Sequence, residues 1–282
     1  MTHFYFSGIG EIKSYDLLKI NGASHLLVDP YDLANVSTWQ GPLALDSGAY
    51  RLFKEGMKKG APLELTPAMT AELLRPLDPN RFTFITTCDV IGNPEKTYRN
   101  WRTLMHDYRL TTMPVWQWGA PIEHLREYLS ESQLVGLGGT VPLLRNKQAK
   151  DFAAEITVRG IPVTREMLKQ AAKSYEASRR AILEQLGEIC ARYPGRFHFF
   201  GLCWMQAINQ LTPYLFSADS SLWLEGARKG LAVFVHAQTG KLAHAPKRAI
   251  PETRSLERDD LLGFNIREIE HFFTEERALH FA

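Results

Sequence analysis

The chain has 282 residues, 45% hydrophobic and 23% charged, which excludes a disordered or fibrous polymer and leaves room for one large α/β domain or two smaller ones. A formal charge of +2 excludes binding of polyanions through bulk charge, so any nucleic-acid contact requires a local basic patch. Cys88, Cys190 and Cys203 are far apart and form no Cys-x-x-Cys pair, which argues against a disulfide framework or a zinc knuckle and fits a reducing compartment.

The first stretch, MTHFYFSGIGEIKSYD, carries no basic segment followed by a long apolar one. No apolar run further along reaches membrane-spanning length, so a cytoplasmic chain with no membrane partner is expected. In chain order, short apolar runs then recur: HFYFSGIG, SHLLVDP, PLALDSG, RFTFITTCDV, TTMPVWQWG, QLVGLGG, RFHFFGLCW, YLFSADSS and LAVFVHA. Amphipathic stretches separate them, among them TPAMTAELLRPL, NPEKTYRNWRTLMHDY and PIEHLREYLSES, whose starts are marked by Thr, Pro or Asn. Strands alternating with helices imply a mainly parallel sheet, and about eight central runs predict a single (β/α)8 barrel spanning 1–282. Residues 163–194 lack a strand pattern and read as a helical elaboration, one long helix or two stacked. A polar connection after Lys247 leads into a closing segment over about 248–282. The basic stretches LLRNKQAK, ARKG and PKRAIPETR read first as solvated faces.

Several strand-like runs end on acids. Asp46 in ALDSGAY, Asp89 in FITTCDV and Asp219 in FSADSSLW each follow an apolar run, where an ionised carboxylate is costly unless partners satisfy it. Each acid therefore either caps a turn or does chemistry. In a barrel the carboxyl ends of different strands share one pocket, and two carboxylates in unlike environments suit a nucleophile with a general acid/base. Neither His-x-His nor His-Glu-x-x-His occurs, so the common hydrolytic metal signatures are missing. Gln117 alternates with Trp116 and Trp118, which puts its amide on the opposite side of a strand from the indoles, either lining the barrel or reading a planar ligand. Gly136, Gly138 and Gly139 in LVGLGGTVP fit neither a phosphate loop nor a dinucleotide fingerprint, and read as a close backbone approach to a ligand.

In its order of motifs, the chain resembles the tRNA-guanine transglycosylase superfamily. ALDSGAY is similar to that family's Asp-Ser-Gly-Gly-Phe/Tyr, VWQWG to its Val-Gln-Gly, and VGLGGTVP to its Ile-Gly-Gly-Leu; the likeness covers about Leu43 to Gly230. The Cys-x-Cys-x-x-Cys zinc set and the Pro-Thr-Arg run of the ordinary tRNA enzymes are missing, a departure shared with the 7-deazaguanine DNA transglycosylases of phages and bacterial DNA-modification clusters.

The resemblance implies Asp219 as nucleophile at the sugar C1′ and Asp46 as its general acid/base. It implies Asp89, Gln117 and the Gly138-Gly139 backbone as readers of the base edge, with Tyr50 and Phe200 stacked on its faces. Arg228 and Lys229, beside the nucleophile strand, become candidates for the nucleic-acid backbone. No metal and no cofactor are implied. The implied partners are nucleic acid, DNA before tRNA, and a 7-deazaguanine base, with partner proteins or a homodimer left open. Alternatives are a compact guanine transglycosylase acting on tRNA or other RNA, and a catalytically silent module that binds a modified base.

Overall fold

The computed structural model describes residues 2–10, 12–60, 63–140 and 165–279. Seven strands form one curled parallel sheet: β1 (His3–Phe6), β2 (His25–Val28), β3 (Leu43–Leu45), β4 (Val115–Gln117), β5 (Val135–Gly138), β6 (Phe197–Phe199) and β7 (Ser217–Ser220). Their order is β3-β2-β1-β7-β6-β5-β4. In register, Tyr5 of β1 lies opposite His25 of β2 on one side and Asp219 of β7 on the other. Residues 84–87 make isolated bridges beside edge strand β3 and with the residue two positions before edge strand β4. Leu45 bridges Ile85 and Thr86 bridges Met113, both in parallel. The Leu45 amide donates to the Phe84 carbonyl at 3.0 Å, and the Met113 amide to the Ile85 carbonyl at 2.7 Å.

Strands buried on both faces explain the nearly continuous apolar runs. Phe4 and Phe6 point outward, against Phe273 and Trp223 of the covering helices. Tyr5, between them, points inward and joins Leu27, Ala44, Phe84 and Met113 in a small inner cluster with Phe200 packed on it. The much larger outer cluster holds the sheet to its helices.

The helix starts expected from Thr, Pro and Asn are present. Thr66 caps α3 (Pro67–Leu74), accepting from the Met69 amide, and Asn93 caps α4 (Pro94–His106), accepting from the Lys96 amide. They follow α1 (Ile12–Ile20) and α2 (Ala49–Lys59) and precede α5 (Ile122–Glu131). The expected elaboration at 163–194 is one helix, α6 (Arg165–Arg192), and its first two residues lie outside the described residues. It lies between two adjacent parallel strands, β5 and β6, so it is part of the crossover that such a pair requires. Its buried Leu183, Leu186 and Cys190 are part of the outer cluster. The basic stretch at 143–150 also lies outside the described residues.

The last apolar run departs from the expectation. LAVFVHA becomes β8 (Leu231–Val235), which pairs antiparallel with β9 (Leu242–Pro246) in a separate two-stranded sheet. Between β6 and this hairpin lie α7 (Met205–Leu211) and α8 (Leu222–Arg228), and the closing segment is α9 (Arg258–Leu279). The side chains of α9 take up amides of β8: Asn265 Oδ1 accepts from Val233 at 2.8 Å and Glu268 Oε2 from Val235 at 2.9 Å. Asn265 Nδ2 also donates to the carbonyls of Trp223 and Leu231. Among the described residues, no helix is long and apolar enough to cross a membrane.

Asn265 is fully buried and serves three backbone groups, among them the outward-facing amide of Val233 on β8. Asn265→Ala should therefore lower stability by about 2–3 kcal/mol in urea unfolding. A loss below about 0.5 kcal/mol would show that the hairpin is held by apolar packing alone.

Candidate active site

Three of the sequence-predicted acids meet at the carboxyl end of the sheet. Asp46 follows β3 directly, Asp89 follows residues 84–87, and Asp219 is the third residue of β7. Asp46 and Asp89 keep some exposure but are closely surrounded by protein, while Asp219 is 5% exposed. Burial pushes the Asp46 carboxyl up to about 8, with the charges of Asp89 and then Asp219 adding to the rise and the Ser47 amide opposing it. Burial also raises Asp89, to about 6, against the opposing hydrogen bond from Ser47.

Ser47 ties two of these acids together. Its amide donates to Asp46 Oδ1 at 2.8 Å and its hydroxyl to Asp89 Oδ1 at 2.5 Å. Gly48 follows with φ of 79°, a left-handed conformation that glycine adopts without strain, and opens α2. The ring of Tyr31 lies against this turn: a Cβ on Gly48 would approach its Cε2 to 3.2 Å. Arg51 lies over that ring and pairs with Asp29 and Asp32, so a fourth strand-end acid, Asp29 after β2, braces the Asp46 turn. Burial raises Asp29 as well.

Asp219 is held from β6. Its Oδ1 accepts from the Gly201 amide at 2.9 Å, and Nε2 of His198 lies 3.4 Å from the same oxygen. The Asp219 carbonyl also accepts from the Leu202 amide at 2.8 Å. Gly201 has φ of 63°, and its amide meets the carboxylate from that left-handed turn.

Gln117 is buried with its amide fully engaged. Nε2 donates to the Val90 carbonyl at 2.7 Å and to Thr97 Oγ1 at 2.9 Å, while Oε1 accepts from the Gly92 amide at 3.1 Å. In this structure it anchors the loop after Asp89 to the start of α4. Gly138 and Gly139 turn at the end of β5: the Gly138 carbonyl accepts from the Trp118 amide, a Cβ at Gly138 would come 2.9 Å from Val115, and Gly139 has φ of 73°.

The two aromatic residues sit in unlike settings. Tyr50, in the first turn of α2, is 48% exposed with the Lys54 ammonium 4.9 Å from its ring centre. Phe200 is half-buried against His198 and over Gly136, where a Cβ would come 2.5 Å from its ring. Arg228 and Lys229 belong to the far end of α8. Its seven residues carry them about 10 Å along the helix axis from the Ser220 end, and both lie within 4.0 Å of Glu225 carboxylate oxygens. They stand apart from the acid cluster.

The sequence reading missed Ser47, Asp29, His198 and Gly201. Ser47 sat in plain view between Asp46 and Gly48, and Asp29 ended an apolar run as the other acids did. His198 and Phe200 alternate with Phe197 and Phe199, the period-two signal of a strand face. A scan against protein-family models returns no match, and a search of curated proteins returns no relative.

The acid cluster has a cost that can be measured. The unfolded chain releases the Asp46 proton near 3.8 while the folded protein keeps it to about 8, so the folded state binds the extra proton in between and stability falls as pH rises through that window. Asp46→Asn should flatten this dependence and raise the melting temperature at pH 8 by about 3 °C or more. Parallel wild-type and variant melting curves from pH 5 to 8 would show that Asp46 titrates normally.

Proposed function

We propose that this chain is a base-exchange transglycosylase that replaces guanine in DNA with a 7-deazaguanine derivative, through a covalent bond between Asp219 and the sugar. We further read the seven-stranded sheet, together with residues 84–87, as a closed (β/α)8 barrel, because backbone bonds run from β3 through that segment to Met113, two residues before β4. The observation that carries the functional reading is Asp46, raised to about 8 beside Asp89 and Asp219 at one end of the sheet. A carboxyl that holds its proton at neutral pH, near a second carboxyl that accepts the Gly201 amide, supplies an acid and a nucleophile at one end of the sheet.

In the first half-reaction an oxygen of Asp219 attacks C1′, the bond from C1′ to N9 of guanine breaks, and the Asp46 proton passes to the departing base. In the second half-reaction, N9 of the incoming 7-deazaguanine attacks C1′ and the Asp219–sugar bond breaks. The proton from N9–H returns to Asp46, so the enzyme regains its starting state. Asp89 and the Gly138-Gly139 turn read the edge of the base, Gln117 holds the Asp89 loop in place, and Tyr50 and Phe200 offer aromatic faces. The target nucleotide has to leave the duplex stack or arrive single-stranded to reach these groups.

Incubation with labelled 7-deazaguanine bases and separate DNA and tRNA acceptors, followed by nucleoside analysis, tests the reading. Label in DNA supports it; label in tRNA alone moves the substrate to RNA with the same chemistry; binding without incorporation leaves a silent base-binding module. Asp219→Asn should abolish both exchange and the covalent adduct, since an amide cannot form the ester-like linkage. Asp46→Asn should slow turnover by about two to four orders of magnitude while some adduct still forms. Adduct formation by Asp219→Asn but not by Asp46→Asn would reverse the two roles.

A further inference from the structure

Beneath Asp219 lies a histidine that the exchange chemistry does not use. His198 is fully buried among the rings of Tyr5, Phe84 and Phe200, with centroids 6.0, 4.7 and 4.5 Å away. Its Nδ1 is 2.8 Å from Ser217 Oγ, itself fully buried, and its Nε2 is 3.4 Å from Asp219 Oδ1. Nε2 makes no other polar contact and does not complete a hydrogen bond at this distance. Oδ1 also takes the Gly201 amide, so both polar contacts to the carboxylate fall on one of its oxygens among the described residues.

We propose that His198 is a positioning residue for Asp219, with Ser217 fixing its Nε2–H toward Oδ1 so that Oδ2 is the oxygen that bonds to the sugar. This rests on the transglycosylase reading of the site. A proton on Nδ1 alone would turn the Nε2 lone pair toward a carboxylate oxygen, an arrangement of two facing acceptors in an apolar surrounding. With the proton on Nε2, Ser217 donates its hydroxyl hydrogen to Nδ1, and Nε2–H faces Oδ1 across 3.4 Å, a favourable polar contact that a small approach of the carboxylate turns into a hydrogen bond. Phe84, Phe200 and Tyr5 exclude water, so no solvent molecule is needed to mediate the contact.

The arrangement has a kinetic consequence. A hydrogen bond to Oδ1 stabilises the free carboxylate more than the sugar ester, in which Oδ1 is a weaker carbonyl acceptor. His198 therefore makes Asp219 a better leaving group in the second half-reaction, and it keeps the adduct from becoming a trap. Gly201 fixes the orientation of the same oxygen through a backbone amide, which no side-chain substitution removes.

Two measurements test this. In ¹⁵N-histidine NMR of the wild-type protein, His198 should carry a proton on Nε2 at neutral pH, and Asp219→Asn should shift that resonance. In rapid-quench kinetics with the DNA acceptor, His198→Leu should slow adduct breakdown by about ten- to a hundredfold, so that adduct accumulates, with first-base release much less affected. His198→Gln, which can present an amide N–H in place of Nε2–H, should recover most of the loss, a rescue that a merely space-filling role would not give. An Nδ1–H tautomer, or breakdown unchanged in folded His198→Leu protein, overturns the proposal. Should the wild-type protein form no adduct with any acceptor, the transglycosylase reading falls by itself, and the tautomer and its response to Asp219→Asn still decide whether His198 positions this carboxylate.

Discussion

The burial of carboxyl groups gathered at the carboxyl end of one parallel sheet, with their mutual repulsion adding to it at Asp46, governs the organisation of this site. Asp46, Asp89 and Asp219 arrive there from three separate strand ends, and charge on all three would be opposed by mutual repulsion in a poorly hydrated space. The protein resolves the conflict by giving each acid a different set of partners. Asp46 receives one amide and retains its proton, Asp89 receives a hydroxyl, and Asp219 receives the Gly201 amide with an imidazole nearby. The differences in partner, more than the acids themselves, give the three carboxyls unlike environments.

Holding these partners in place occupies much of the surrounding structure. Gln117 spends its whole amide on the loop after Asp89, and Arg51 spends its guanidinium on Asp29 and Asp32 while covering Tyr31. Gly48 and Gly201 adopt left-handed backbone at the two turns that aim an amide or hydroxyl at an acid. A side chain that looks like a ligand reader in sequence can therefore be engaged in holding a loop of the protein in place. A site built in this way loses function through loosening as readily as through loss of a reacting group.

Much of the fold was legible because its signals are local. Apolar runs buried on both faces gave the strands, and Thr66 and Asn93 before prolines gave the starts of α3 and α4. The order of the strands, the bridging by residues 84–87 and the departure of β8 into a hairpin depend on long-range pairing, which no short stretch encodes. In the same way, the strand-end acids were visible from the cost of burying charge, and their convergence followed from the topology. The engagement of Gln117, the bracing by Asp29 and the placement of Arg228 and Lys229 at the far end of α8 depend on partners remote in sequence or on helix direction.

The contact between α9 and β8 bears on how copies of this chain meet one another. A strand in a two-stranded sheet has one side paired and the other open, and an open side offers its amides to any strand that approaches. Here Asn265 and Glu268 occupy the amides of Val233 and Val235, so the side away from β9 is closed by side chains of the same molecule. That edge of the hairpin is thereby removed as a template for strand addition, and a helix that looks like a simple C-terminal cover also guards the protein against aggregation through β8.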